Sequence, residues 1–420
     1  VTFLSILASY PYNPRIIGGS MHSRFKILDS FLLEHQIYWR SDPFHLCRTQ
    51  QTPWRNVNRP LVDWLEGLSI QRIQTLKEQP QLVADELTLF LPQLYSVNQN
   101  IQFDRATLAG LKLARGTGDG IPGRKLQQIV SMGEAVLENH YGKEWLEWCS
   151  GKGFLGRILS QQSKQKVTSF EWQQSLCESG QAIADAQQLD MTFVQGDAFT
   201  EDAEEVFNID QHAVALHACG DLHVELVKKS VFHGLPAVTI SPCCYHLIRE
   251  DVYQAMSCVA RSSALTLSKS DLRIPLQETV TGGERVKRHR QLEMSYRLGF
   301  CQLLKAELGI DEYIPIPSIK KSELSEGFES FCGWASEVKG MSLGAGINFG
   351  LYLEQGEALF WEMEKLSLVQ QVFRRPLEIW LALDRAIYLQ EQGYEASIEE
   401  FCERSITPRN LLIHGVKLDR

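Results

Sequence analysis

The chain has 420 residues, 44% of them apolar and 22% charged, with a formal net charge of −9 and ten cysteines. That length implies two or three domains, and the apolar and charged shares are ordinary for a soluble globular protein. The acidic balance excludes a surface that is basic all over, although a local basic groove remains compatible with it.

The opening "VTFLSILASY" is apolar but lacks a basic n-region and a clean cleavage site, and Met21 opens "MHSRFKILDSF". Residues 1–20 are therefore expected to be an upstream extension or alternative start. With no run of about 18 apolar residues, no membrane span is expected. Ten cysteines without a signal peptide point to reduced thiols and a cytoplasmic location.

Residues 21–115 are expected to form a helical N-terminal domain, with Leu61, Trp64, Leu65 and Leu68 on one helix face. Arg40 and Arg48 lie among aromatics there, either as the polar rim of packed helices or as a substrate-facing surface. The glycines and proline of "ARGTGDGIPGRKLQQI" break any helix near 116–123 and mark the boundary with a second domain, 116–275. Arg124 and Lys125 follow at a helix start.

Within 116–275, "WLEWC", "VTSFEW", "MTFVQGD", "AVALHACGD" and "AVTISPCCYH" alternate with helical segments. The pattern predicts an α/β fold with a parallel sheet covered by helices on both faces. Residues 276–420 read as helical additions completing this domain. "ERVKRHRQLEMSYRLGFCQLLKAEL" is one long helix, and "RRPLEIWLALDRAIYLQEQGY" is another with Leu377, Trp380, Leu381 and Asp384 on one side. After Pro408 the tail reads as a short strand at the sheet edge.

Gly151-Lys-Gly153-Phe-Leu-Gly156 matches G-x-G-x-x-G after a strand and before a helix, the context that gives the pattern meaning. Glycines let the backbone pass close to a ligand. Glu147 lies in the first strand, and Glu171 ends the second, 24 residues on. A carboxylate at the end of the second strand accepts from ribose hydroxyls. Asp197, after the third strand, stands where an adenine amino group is read. Glu147 fits an amine-bearing ligand better than a pyrophosphate, which favours S-adenosylmethionine over NAD. The alternative is a turn needed only for tight strand–helix packing.

The segments "GIPGRKLQQIVSMGEAV", "WLEWCSGKGFLGRIL", "ALHACGDL" and "SPCCYHL" resemble a class I methyltransferase family. It includes methyltransferase-like proteins labelled ribosomal RNA adenine dimethylase domain-containing and the methyltransferase half of glutathione S-transferase C-terminal domain-containing protein. The resemblance covers residues 113–260, and 375–417 more loosely, with a more distant similarity to tRNA 2′-O-methyltransferases that carry a His-x-Cys-Gly loop. It implies a Rossmann-like class I methyltransferase sheet with a helical N-terminal region and helical C-terminal additions. The cofactor would be S-adenosylmethionine, bound by Glu147, Cys149, Gly151, Gly153, Glu171, Asp197 and His217. The family pattern is acid-x-Gly-Ser-Gly-x-Gly, and Cys149 replaces its first glycine.

Two strand ends carry His217-Ala-Cys219-Gly-Asp221 and Ser-Pro242-Cys243-Cys244-Tyr245-His246. Ligands of open parallel sheets bind beyond such ends. His217, Asp221, Cys243, Cys244, Tyr245 and His246 are therefore the candidate catalytic residues, with a His or Asp orienting or deprotonating the acceptor and Tyr245 stacking on it. A metal site is the second reading, but the spacing is not that of a closed tetrahedral site, so no metal is expected. A cysteine nucleophile, as in pyrimidine C5 methylation, and buried cysteines acting as small apolar residues are the others.

"ERVKRHR" carries Arg285, Lys287, Arg288 and Arg290, a solvated helix face or a phosphate-contact patch for a nucleic acid. The sequence thus reads as a methyltransferase for a macromolecular acceptor, RNA before protein, with RNA modification as its role. A non-catalytic binding module, favoured only by Cys149, is the competing class.

Overall fold

The structure, a computed structural model, describes residues 20–49, 51–113, 117–118, 121–277 and 283–418. All of the expected upstream extension except Ser20, and residues 114–116 and 119–120 of the expected domain boundary, lie outside the described residues.

Seven strands form one sheet: β1 (Glu144–Trp148), β2 (Val167–Glu171), β3 (Met191–Gln195), β4 (Gln211–Leu216), β5 (Ala237–Ser241), β6 (Tyr394–Glu400) and β7 (Leu411–Lys417). Their order is β3-β2-β1-β4-β5-β7-β6. The first five are parallel, and β7 runs antiparallel to both β5 and β6. This is the Rossmann-like class I methyltransferase arrangement, α/β as expected. The tail strand was expected at the sheet edge; instead β7 is inserted, and β6 is the edge. Sequence reading passed over β6, although Tyr394, Ala396 and Ile398 are buried at alternate positions within it.

The period of two sorts the side chains of β1 between two cores. Trp145 of β1 packs with Ile129, Met132, Leu155 and Ile158 of the helices Gly123–Glu138 and Phe154–Ser163. Leu146 and Trp148 point to the other face, into a cluster with Leu377, Trp380 and Leu381 of the helix Arg374–Glu391. The N-terminal helix Met21–Glu34 covers that helix in turn, with the Phe25 and Trp380 rings 5.0 Å apart and Phe31 stacked on Phe373 at 5.1 Å. Trp39, Trp54 and Leu61 belong to the same cluster as Trp148, so the N-terminal helices and this face of the sheet share one core. Arg40 pairs with Asp271 at 3.2 Å and Arg48 lies over the Tyr313 ring, so both are rim residues of packed helices.

Between β5 and β6, the helices Glu284–Leu308, Phe328–Val338 and Phe349–Gln371 gather a smaller core around Phe300, Phe331 and Tyr352. Among the described residues no helix is long and apolar enough to cross a membrane.

Candidate functional site

β1 delivers the chain into the turn Cys149-Ser150-Gly151-Lys152-Gly153, from which the helix Phe154–Ser163 departs. Cys149, Gly151 and Gly153 all have left-handed φ, +55°, +58° and +69°. A side chain at such a position costs roughly 1–2 kcal/mol, which explains why glycine suits the first position and why Cys149 is strained there. The Ser150 N–H donates to the Phe170 carbonyl at 3.0 Å, tying the turn to β2. A Cβ on Gly151 would meet nothing within 4 Å, so this side of the turn is open to a ligand.

Glu171 closes the turn from β2. Its Oε2 accepts the Gly151 N–H at 2.9 Å and its Oε1 the Gln173 N–H at 3.0 Å. An ionised carboxylate has about four acceptor positions, leaving two for ribose hydroxyls. Asp197 accepts the Phe199 N–H at 3.0 Å and is half-buried after β3. Trp172, 62% exposed directly after Glu171, adds an open aromatic face that sequence reading overlooked.

Glu147 corrects the expectation of an ionic contact to a ligand ammonium. Its carboxylate is buried, accepts the Ser169 hydroxyl at 2.8 Å, and faces the Gly156 and Leu155 N–H groups that open the next helix. It satisfies helix-terminal donors, and a Cβ on Gly156 would collide with its Oε2. Burial pushes its pKa up to about 7, against those hydrogen bonds. Gly156 is thus required by Glu147, inside the fold.

The loops after β4 and β5 are clasped together. The Asp221 N–H donates to the Leu247 carbonyl at 3.1 Å, and Asp221 Oδ2 accepts the Arg249 N–H at 2.7 Å. Gly220, at φ +57°, passes so close to the Leu247 carbonyl that no Cβ fits. Asp221 is therefore a latch between the two loops. Tyr245 is corrected too. Its ring is buried beneath the Arg385 guanidinium, 5.2 Å from the ring centroid, and cannot stack on an acceptor.

His217 ends β4 at φ +68°, a second strained non-glycine position. Its Nε2 lies 3.1 Å from Gln128 Oε1, on the helix Gly123–Glu138. Desolvation, then the nearby Lys125 and Arg409, lower its pKa, so it is neutral near pH 7. His246 is half-buried, with Nδ1 enclosed and without a hydrogen-bond partner.

Cys219, Cys243 and Cys244 converge, their sulfurs all within 4.8 Å of one another and Cys219 Sγ 3.2 Å from Cys243 Sγ. Hydrogen bonding from Cys243 stabilises the thiolates of Cys219 and Cys244, while the Cys243 thiol is pushed up. The spacing along the chain is not that of a closed tetrahedral site, yet the fold brings the three sulfurs together. Spacing constrains ligands within one loop, whereas Cys219 arrives from another strand end.

The basic segment is largely committed elsewhere. Lys287 pairs with Glu78 at 2.7 Å and Glu284 at 2.9 Å, and Arg290 with Glu364 at 2.7 Å. Those two are corrected as phosphate contacts; Arg285 and Arg288 remain exposed. The cations beside the transfer loops are Lys125 and Arg409, whose charges act on His217. Arg409 lies in the loop before β7 and carried no signal of its own. Gln128, in a helix face of mixed character, was equally silent.

Residues 124–251 match the family described as a methyltransferase domain. Among solved structures, a tRNA (uracil-54, C5)-methyltransferase of Pyrococcus abyssi in complex with S-adenosyl-L-homocysteine is 23% identical, with a TM-score of 0.23. That match covers 28% of this chain and 28% of the other. A comparison with curated proteins found no match. With the sheet order and glycine turn, the match marks residues 124–251 as a methyltransferase domain.

Proposed function

We propose that the chain is an S-adenosylmethionine-dependent methyltransferase and that its methyl acceptor is RNA. The observation that carries this reading is the placement of Lys125 and Arg409. They come from a helix start and a hairpin loop far apart in sequence; Lys125 lies on the helix whose Gln128 touches His217, and both charges depress the His217 pKa. A chain of net charge −9 thereby sets positive charge at its transfer site, where phosphates on either side of a target nucleotide would lie.

S-adenosylmethionine supplies an electrophilic methyl group on a sulfonium. The open side of the Gly151 turn, Glu171, Asp197 and the exposed Trp172 are the groups that would hold it. Because Gln128 presents its carbonyl oxygen, His217 keeps its proton on Nε2 and a lone pair on Nδ1. Being neutral, His217 is ready to take a proton from a hydroxyl or ammonium acceptor. Much of the acceleration comes from alignment, which the clasped β4 and β5 loops provide.

The test is methyl transfer from labelled donor to total RNA and to total protein. Label in RNA that ribonuclease removes is the expected result; label in protein alone would overturn the reading. If the purified chain binds neither adenosyl ligand, the binding-module reading that Cys149 favours replaces both.

A further inference from the structure

We propose that Cys219, Cys243 and Cys244 bind one zinc ion between the loops that follow β4 and β5. The three sulfurs come from two strand ends and lie within 4.8 Å of one another. Tetrahedral zinc with Zn–S bonds of about 2.3 Å holds sulfurs roughly 3.8 Å apart, so the three thiols already have the required spread. The Cys219–Cys243 separation of 3.2 Å opens slightly as the ion enters.

The frame around them is rigid before any ion arrives. The Asp221–Arg249 and Asp221–Leu247 hydrogen bonds fix one loop on the other, and His217 and Gly220 lock the β4 exit in left-handed backbone. A site of this kind loses little conformational entropy on binding. Clustering raises the charge problem of three thiolates, and the Arg409 guanidinium, which favours the Cys244 thiolate, reduces it. Soft thiolates select zinc over calcium or magnesium.

Only three sulfurs converge, which leaves the fourth position open. The cluster also lies beside the cofactor turn, because Cys219 follows β4, the direct neighbour of the strand β1 that leads into Cys149. The ion would thus join the transfer loops at the edge of the methyl-donor site. The inference does not rest on the nature of the acceptor.

The experiment uses the full chain, reduced and stripped with a chelator. Zinc is titrated in competition with a chromophoric chelator, and cobalt(II) is added as a spectroscopic substitute. One zinc per chain is expected, with intense sulfur-to-cobalt charge-transfer bands and the visible bands of a tetrahedral ion. Cys219→Ser, Cys243→Ser and Cys244→Ser should each abolish one-equivalent binding, while Cys149→Ser and Cys258→Ser keep it. Binding of S-adenosyl-L-homocysteine reports that each variant is folded. The proposal is overturned if the wild-type chain gives no charge-transfer bands, or if all three serine variants retain them. A chain that takes no zinc and forms a Cys219–Cys243 disulfide in air overturns it as well, assigning the cluster to thiol redox chemistry.

Discussion

Gln128 Oε1 stands 3.1 Å from His217 Nε2, joining the helix before β1 to the end of β4. A carbonyl oxygen only accepts, so this contact chooses the imidazole tautomer and leaves Nδ1 as the basic atom. His217→Ala should lower the methylation rate by roughly 10²–10⁴-fold, the range for a general base. Gln128→Leu should lower kcat with little change in KM. Since the folded pKa of His217 is lowered, the wild-type rate should stay level below pH 6.5, where an unperturbed imidazole loses its lone pair. Rate measurements across pH check all three.

Glu171 holds the turn and retains lone pairs for a ligand. Glu171→Ala frees the Gly151 and Gln173 N–H groups as well as removing acceptors. Calorimetry should show S-adenosyl-L-homocysteine affinity weakened by about 1–3 kcal/mol, the scale for hydrogen bonds to a charged group.

Cys149→Gly should relieve the left-handed strain at φ +55°. The gain of roughly 1–2 kcal/mol is offset by the greater freedom of glycine in the unfolded chain, about 0.5–1 kcal/mol. A net stabilisation of about 0–1.5 kcal/mol is expected by urea unfolding, together with tighter adenosyl-ligand binding.

Lys125→Ala and Arg409→Ala should each reduce the log–log salt slope of RNA binding by about 0.7–0.9, while leaving adenosyl-ligand affinity unchanged. Lys287→Ala and Arg290→Ala should leave the slope as it is, because Glu78 and Glu364 already neutralise those cations. Equal effects from the two pairs would move the RNA contact to the long helix.

Acid should destabilise the fold early. His212, His223 and His414 are buried and desolvation lowers their pKa values, that of His414 to about 4. Below about pH 6.5 the unfolded chain binds protons that the folded chain does not, so stability is full above that pH and falls as pH drops. Each group contributes up to roughly 1.4 kcal/mol per pH unit. Glu147 acts in the opposite sense, since its raised pKa of about 7 makes folding less favourable as pH rises from its ordinary value of 4.5. Three histidines outweigh one carboxyl, so urea midpoints should fall from pH 7 to pH 5.

The sequence by itself determined the five parallel strands, their connections and the glycine turn, because these rest on local periodicity and on backbone conformations that few residues tolerate; that β6 forms the edge and β7 inserts beside β5 was decided by packing. Glu171, Cys149 and His217 were legible as strand-end residues for the same reason. Only the tertiary structure decided where side chains point. It turned Glu147 into the fold, placed Tyr245 under Arg385, and tied Lys287 and Arg290 to carboxylates of other helices. It also brought Lys125, Gln128 and Arg409 to His217, and Cys219 to Cys243 and Cys244. Spacing along the chain speaks for one element at a time, whereas these relationships arise between elements whose approach is set by packing.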